Sequence, residues 1–150
     1  MFGYRVLGFG SGGAGAATYE VDYLVIAAGG GGSSPQAGGG GAGGFRTSFP
    51  GGTKLEMIGG TSYNVTVGTG SSNADGGHSS LAAETTLPST GGGKGGSFGN
   101  VGNPGGSGGG SSGNSSADEG GPGNAGGYSP VEGYKGWGKT GPGGAHSPST

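Results

Sequence analysis

The sequence predicts a mainly β and irregular fold: a small antiparallel β-sheet or sandwich joined to glycine-rich polyproline-II (polyglycine II) helices, with almost no α-helix. Three observations lead there. Short blocks of apolar residues alternate with polar ones, the period of a half-buried strand. Glycine supplies 48 of the 150 residues, several times its usual share, and in two tracts it falls on every third position. No segment carries a helical apolar period of useful length.

Taken in order, residues 2–9 set Phe2, Tyr4 and Val6 against Gly3, Arg5 and Leu7, a β-prone arm tied by a flexible connection ending at residue 17. Residues 18–90 read as a β core that includes the first glycine tract. Its opening strand spans 18–27. Glu20-Val21-Asp22-Tyr23 alternates, and Leu24-Val25-Ile26-Ala27 is apolar on both faces, as in a strand entering a packed interior. Residues 45–49 form a strand closed by the Pro50-Gly51-Gly52 turn, and residues 54–58 form the next, before a turn at Gly59-Gly60. Tyr63-Asn64-Val65-Thr66-Val67 is the cleanest alternation, with Tyr63, Val65 and Val67 expected inward. Residues 81–87 read as one weaker strand with Leu81, Ala83, Thr85 and Leu87 on one face.

From 91 to 127 a period of three takes over. Glycine occupies 93, 96, 99, 102, 105 and 108, loses the register at Ser111, Asn114 and Ala117, and regains it at 120, 123 and 126. The first tract follows the same rule through Gly29, Gly32, Pro35, Gly38, Gly41 and Gly44. A polyproline-II helix has three residues per turn and no internal hydrogen bonds. Glycine at every third residue strips one edge of side chains, so neighbouring helices can approach until their N–H and C=O groups pair laterally. A flexible linker with fortuitous spacing is the alternative. Residues 128–150 form an aromatic and basic tail. Tyr128, Tyr134 and Trp137, with Lys135 and Lys139, could stack on sugars or bases, or could equally cap the glycine bundle or bury against the sheet. The whole is expected to be one structural domain.

Composition narrows the function classes. Collagen is excluded, because no strict Gly-X-Y register spans the chain and only 8 residues are proline. Classical disorder fits poorly with 27% hydrophobic residues in blocks and only 9% charged. Without cysteine there is no disulfide or thiolate metal site. A net charge of −2 gives no reason to expect nucleic acid, and no apolar window suggests membrane insertion or a secretory signal. The chain is therefore expected to be made in a cytoplasm. His78 and His146 sit in small-residue turns without metal-ligand spacing. Asp75, His78, Ser79 and Ser80 invite a triad but share one loop without a nucleophile elbow. Residues 8–13 approach a dinucleotide fingerprint, yet no helix follows. No active site and no cofactor are expected, and the chain reads as a non-enzyme.

The ordered set of these motifs resembles a known family. Val21-Asp22-Tyr23-Leu24-Val25-Ile26-Ala27 runs into Gly29–Gly32; Gly38–Gly44 runs into Phe45-Arg46-Thr47; then come Tyr63-Asn64-Val65-Thr66-Val67-Gly68 and a final glycine array. Together, over residues 18–127, they resemble the glycine-rich domain of bacteriophage virion proteins, of the tail-fibre and tail-tip adhesin type found in marine phages. The resemblance implies a virion location, with synthesis in the host cytoplasm. It also implies partners among other virion proteins and copies of itself, and a host surface glycan or outer-membrane protein as receptor. Host attachment is the first expected function. The loop of residues 70–80 with His78, and the tail with Tyr128, Tyr134, Lys135, Trp137 and Lys139, are the candidate contacts. A capsid decoration or cement protein, or a repeating subunit of a virion appendage, is the alternative. Ice binding is a third reading, because flat polyproline-II bundles can match ice.

Overall fold

The structure, a computed structural model, describes residues 15–34, 36–116 and 119–138. The arm at residues 2–9, Lys139 and His146 lie outside the described residues. Seven short strands occur in the order β1 (Thr18–Val21), β2 (Leu24–Ile26), β3 (Phe45–Thr47), β4 (Leu55–Ile58), β5 (Asn64–Thr66), β6 (Ser79–Ala82) and β7 (Thr86–Ser89). They build three antiparallel sheets, β1–β4, β2–β3 and β5–β6–β7. The fold is mainly β and irregular, with no helix among the described residues, and so none long and apolar enough to cross a membrane.

The strand expected over 18–27 is two strands. At Asp22-Tyr23 the chain leaves β4 and takes β3 as partner. Buried Ser48 closes this corner: its Oγ accepts from Tyr23 N at 2.9 Å and donates to Asp22 Oδ1 at 2.8 Å. Its own N–H donates to Tyr23 O at 3.2 Å. Leu24–Ala27 is also not apolar-packed on both faces. Val25 and Ala27 are buried, whereas Leu24 and Ile26 are more than half exposed. Tyr63, Val65 and Val67 do not point inward as a set, since Val65 and Val67 are 68% and 79% exposed. Their strand, β5, lies at a sheet edge with little packed against it. Residues 81–87 form a hairpin rather than one strand, with Ala82 facing Thr86 and Leu81 facing Leu87. Pro88 explains why β7 is an edge: it has no N–H to give a further strand.

The interior is built from backbone. The apolar core among the described residues is Val25 and Ala27, while Gly91, Gly92, Gly93, Gly95 and Gly96 are all buried. Eight segments run side by side: a (27–33), b (38–44), c (74–78), d (90–96), e (100–106), f (107–112), g (119–124) and h (133–137). Their ladders advance by three residues. Gly38, Gly41 and Gly44 donate to Gly96, Gly93 and Thr90; Ala28 and Gly31 donate to Gly77 and Ala74; Ser107 and Gly110 donate to Ala42 and Gly39.

Segment d is the centre. Gly92 and Gly95 donate to Ala28 and Gly31 of a, Gly93 and Gly96 to Ser107 and Gly110 of f, and Asn103 and Gly106 of e donate back to Lys94 and Gly91. Consecutive N–H groups of d therefore point to different neighbours and return to the same one after three residues. The steric requirement is equally direct. A Cβ on Gly92 or Gly95 would collide with the carbonyls of Gly41 or Gly38, and one on Gly93 or Gly96 with those of Asn103 or Asn100. The glycine register over 93–108 nevertheless does not mark one continuous helix. The chain reverses at 97–100, where Gly99 takes a φ of 77° and Asn100 N donates to Ser97 O, and it bends again at 105–107.

Candidate functional site

Segment h, residues 133–137, carries most of the tail residues singled out by sequence. Its backbone is fixed by Gly108 N donating to Tyr134 O and Ser111 N donating to Trp137 O, with Gly136 N donating to Gly121 O. Trp137 also bridges Glu119. Tyr134 and Trp137, three residues apart in a segment whose contacts repeat every three, hold the same position relative to f, and the two residues are 77% and 51% exposed. Lys135 between them is exposed and pairs with Glu119, Nζ to Oε1 at 2.6 Å. That hydrogen bond, then the charge of Lys135, holds the Glu119 carboxyl below its ordinary 4.5, against a small opposing effect of desolvation.

Tyr128 is separate from this pair. It is half-buried, with the Arg46 guanidinium 3.9 Å above its ring centroid. Arg46 is anchored in turn by a 2.7 Å hydrogen bond from its guanidinium to Pro88 O. His78 is separate again. Its Nδ1 accepts from Gly91 N at 3.1 Å, and three residues on, Lys94 N donates to Asp75 Oδ1 at 2.6 Å. In this ladder two side chains stand where carbonyls stand elsewhere. The loop of residues 70–80 is thus partly laid into the bundle, through Ala74, Asp75, Gly76, Gly77 and His78.

The residue that organises the sheet end was not visible in the sequence. Glu132 is 2% exposed, and its Oε2 accepts from Thr90 N at 2.8 Å and its Oε1 from Gly126 N at 3.2 Å. Its carbonyl accepts from Phe45 N at 2.7 Å. Asn124 closes the same loop, its Oδ1 accepting from Tyr128 N and Glu132 N. Held this way, Ser129-Pro130-Val131 forms one wall of a cleft of about 510 Å³. Phe45, Phe49 and Pro50 contribute to the facing wall, and Phe49 is 70% exposed. A lone glutamate in a glycine-rich loop gives no sequence signal for this role. Only the three chain segments it joins reveal it.

Among the described residues no three His, Cys, Asp or Glu side chains converge as a metal site would require. The surface offers exposed aromatic rings, two lysines paired with carboxylates, Lys54 with Asp22 and Lys135 with Glu119, and an apolar cleft on a hydrogen-bonded frame, a chemistry of stacking and contact. A family model described as a glycine-rich domain matches residues 14–150. No curated protein and no solved structure matches the chain.

Proposed function

The chain belongs to the glycine-rich domain family, and from that premise we propose that it is a non-catalytic bacteriophage virion protein, a tail-fibre or tail-tip component that contacts the host surface. One observation carries this reading. Tyr134 and Trp137 are displayed on a segment whose carbonyls are locked to f, so the backbone that carries both rings is fixed before any ligand arrives. Residues three apart on a polyproline-II backbone stand roughly 9 Å apart on one side. That spacing suits a repeating ligand such as a surface glycan, on which aromatic rings stack by their faces. A fixed frame also suits an adhesin because little ordering entropy is lost on binding. Lys135 adds a polar contact beside the rings. Its partner Glu119 keeps the local charge near neutral.

The test is adsorption. Purified protein should bind host cells or envelope glycans, antibodies against it should block phage adsorption, and Tyr134→Ala or Trp137→Ala should each weaken binding by about 1 kcal/mol. Protein that binds neither cells nor glycans, with adsorption intact under antibody, sinks the proposal.

A second reading, a decoration protein or repeating subunit of a virion appendage, is favoured by β5. This edge strand is exposed along Asn64–Thr66, and such an edge can accept a strand from a neighbouring subunit. Labelled antibody along a filament or over the capsid, rather than at a fibre tip, would select it.

A further inference from the structure

Segments a and b form the outer layer of the bundle. Strand β2 runs directly into a, and b runs directly into β3. The pairing Ile26↔Phe45 therefore continues as Ala27 N to Gly44 O and Gly30 N to Gly41 O. The inner side of this layer is occupied throughout. Val25 is buried where β2 packs on β6 and β7, and segment d, the continuation of β7, bonds to both a and b. The outer side is largely open, although Gly43 is half-buried and Phe45 borders the cleft walled by Ser129-Pro130-Val131. Leu24, Ile26 and Phe45 are each more than half exposed at the sheet end. Along the glycines, Gly29 and Gly32 are exposed and their N–H groups donate to no described residue. Gly40 and Gly43, on the adjacent segment, accept from none. Each pair is spaced by three residues, the step of every occupied ladder in the molecule.

Gly40 and Gly43 are required by the chain's own packing, since a Cβ there would strike Gly30 O or Ala27 O, but Gly29, Gly32 and Gly39 are not. A Cβ on Gly29 would meet only Gly41 O at 3.6 Å, one on Gly32 only Gly38 O at 3.4 Å, and one on Gly39 nothing within 4 Å. The inward-facing glycines of the same segments would instead collide with backbone, as Gly38 and Gly41 would with Gly110 and Ser107. At Gly29, Gly32 and Gly39 room for a side chain is left unused beside an unpaired backbone row, and exposed Ala42, three residues after Gly39, adds only a methyl, which leaves another backbone able to approach closely.

We infer that this face is where a second copy of the chain packs, the two related by a twofold axis. The occupant follows from the arrangement of the rows. A donor row on a lies beside an acceptor row on b, so a twofold rotation sets donors against acceptors in both directions at once. The same rotation covers the exposed Leu24, Ile26 and Phe45 of both copies, an apolar group that a single chain leaves to water. An unrelated partner would have to supply both a period-three backbone row and a matching apolar end. A copy of this chain supplies both. The pairing does not depend on what Tyr134 and Trp137 bind.

Sedimentation equilibrium of the full chain tests it, with hydrogen exchange at Gly29 and Gly32. The expected mass is that of two chains, with both amides protected. Gly29→Glu and, independently, Ile26→Glu should each return the mass to one chain and expose those amides, with the circular dichroism spectrum and melting retained in at least one of them. Gly70→Glu, at an exposed glycine with nothing within 4 Å of an added Cβ, should stay at two chains. A single-chain wild type overturns the inference, and if its Gly29 and Gly32 amides are protected, another segment of the same chain covers the face. Two-chain mass in a folded Gly29→Glu or Ile26→Glu variant overturns it equally. A mass that grows beyond two chains with concentration replaces the twofold pair with an open, head-to-tail assembly.

Discussion

Glu132 carries a carboxylate into an interior made almost wholly of backbone, and what it meets there are the N–H groups of Thr90 and Gly126. A carboxylate accepting backbone N–H bonds is well satisfied; removing it leaves half-buried Thr90 N without its acceptor, at about 1–3 kcal/mol, whereas exposed Gly126 N can turn to water. Glu132→Ala should therefore destabilise the protein by roughly 1–3 kcal/mol in a denaturant titration, and it should also free Ser129-Pro130-Val131 from the cleft wall. Glu132→Gln, which keeps one acceptor oxygen, should fall between wild type and alanine. Equal stability of Glu132→Ala and wild type would remove this residue from its structural role. Ser48 does comparable work at the Asp22-Tyr23 corner, and His78 and Asp75 do it along the edge of segment d. In each case a polar side chain completes a ladder where backbone runs out.

Segment d differs from an ordinary strand in the number of its partners. A β-strand bonds in one plane to two neighbours; d bonds to a, b, c, e and f, because its groups turn to a new side at each residue. That arrangement tolerates no side chain on the faces where segments meet. Gly93→Ala, whose Cβ would strike the Asn103 carbonyl, should cost about 3 kcal/mol or more, at the upper end of overpacking effects. Gly113→Ala, with nothing within 4 Å, should change stability by no more than about 0.5 kcal/mol. Thermal melts of the two variants provide the comparison, and similar melting of both would mean that the glycine array is not packed as described.

The molecule as a whole reverses the usual layering. Its apolar side chains are largely outside, and its polar backbone is inside. Val25 and Ala27 alone could not hold a chain of this size, so cooperativity must come from the lateral network. Circular dichroism should show a polyproline-II signature that is lost in one cooperative transition, coincident with loss of amide protection in segment d. A gradual drift with temperature would indicate a flexible glycine chain instead. The exposed Leu24, Ile26, Phe45, Phe49, Val65 and Val67 then read as contact surface, because a framework of this kind does not need them for its own interior.

The sequence by itself determined the fold class, the absence of α-helix among the described residues, the positions of most strands and the period of three. All of these are local: alternation, turn residues and glycine spacing are written along the chain. It did not determine which face of a strand is buried. Alternation marks two faces but cannot say that Val65 and Val67 look to water or that Leu24 and Ile26 lack cover. The glycine register over 93–108 runs unbroken through two reversals of the chain, since glycine fits a turn as well as an extended segment; only the interrupting residues Ser97, Asn100 and Ser107, of types that suit turns, mark them. Only the tertiary structure decided that d lies at the centre and that Glu132 joins three distant segments. It also separated Tyr128 and His78 from Tyr134 and Trp137. The reason is that hydrogen bonds between glycine segments depend on which backbones are neighbours, and glycine, having no side chain, leaves no mark in the sequence of the neighbour it will choose.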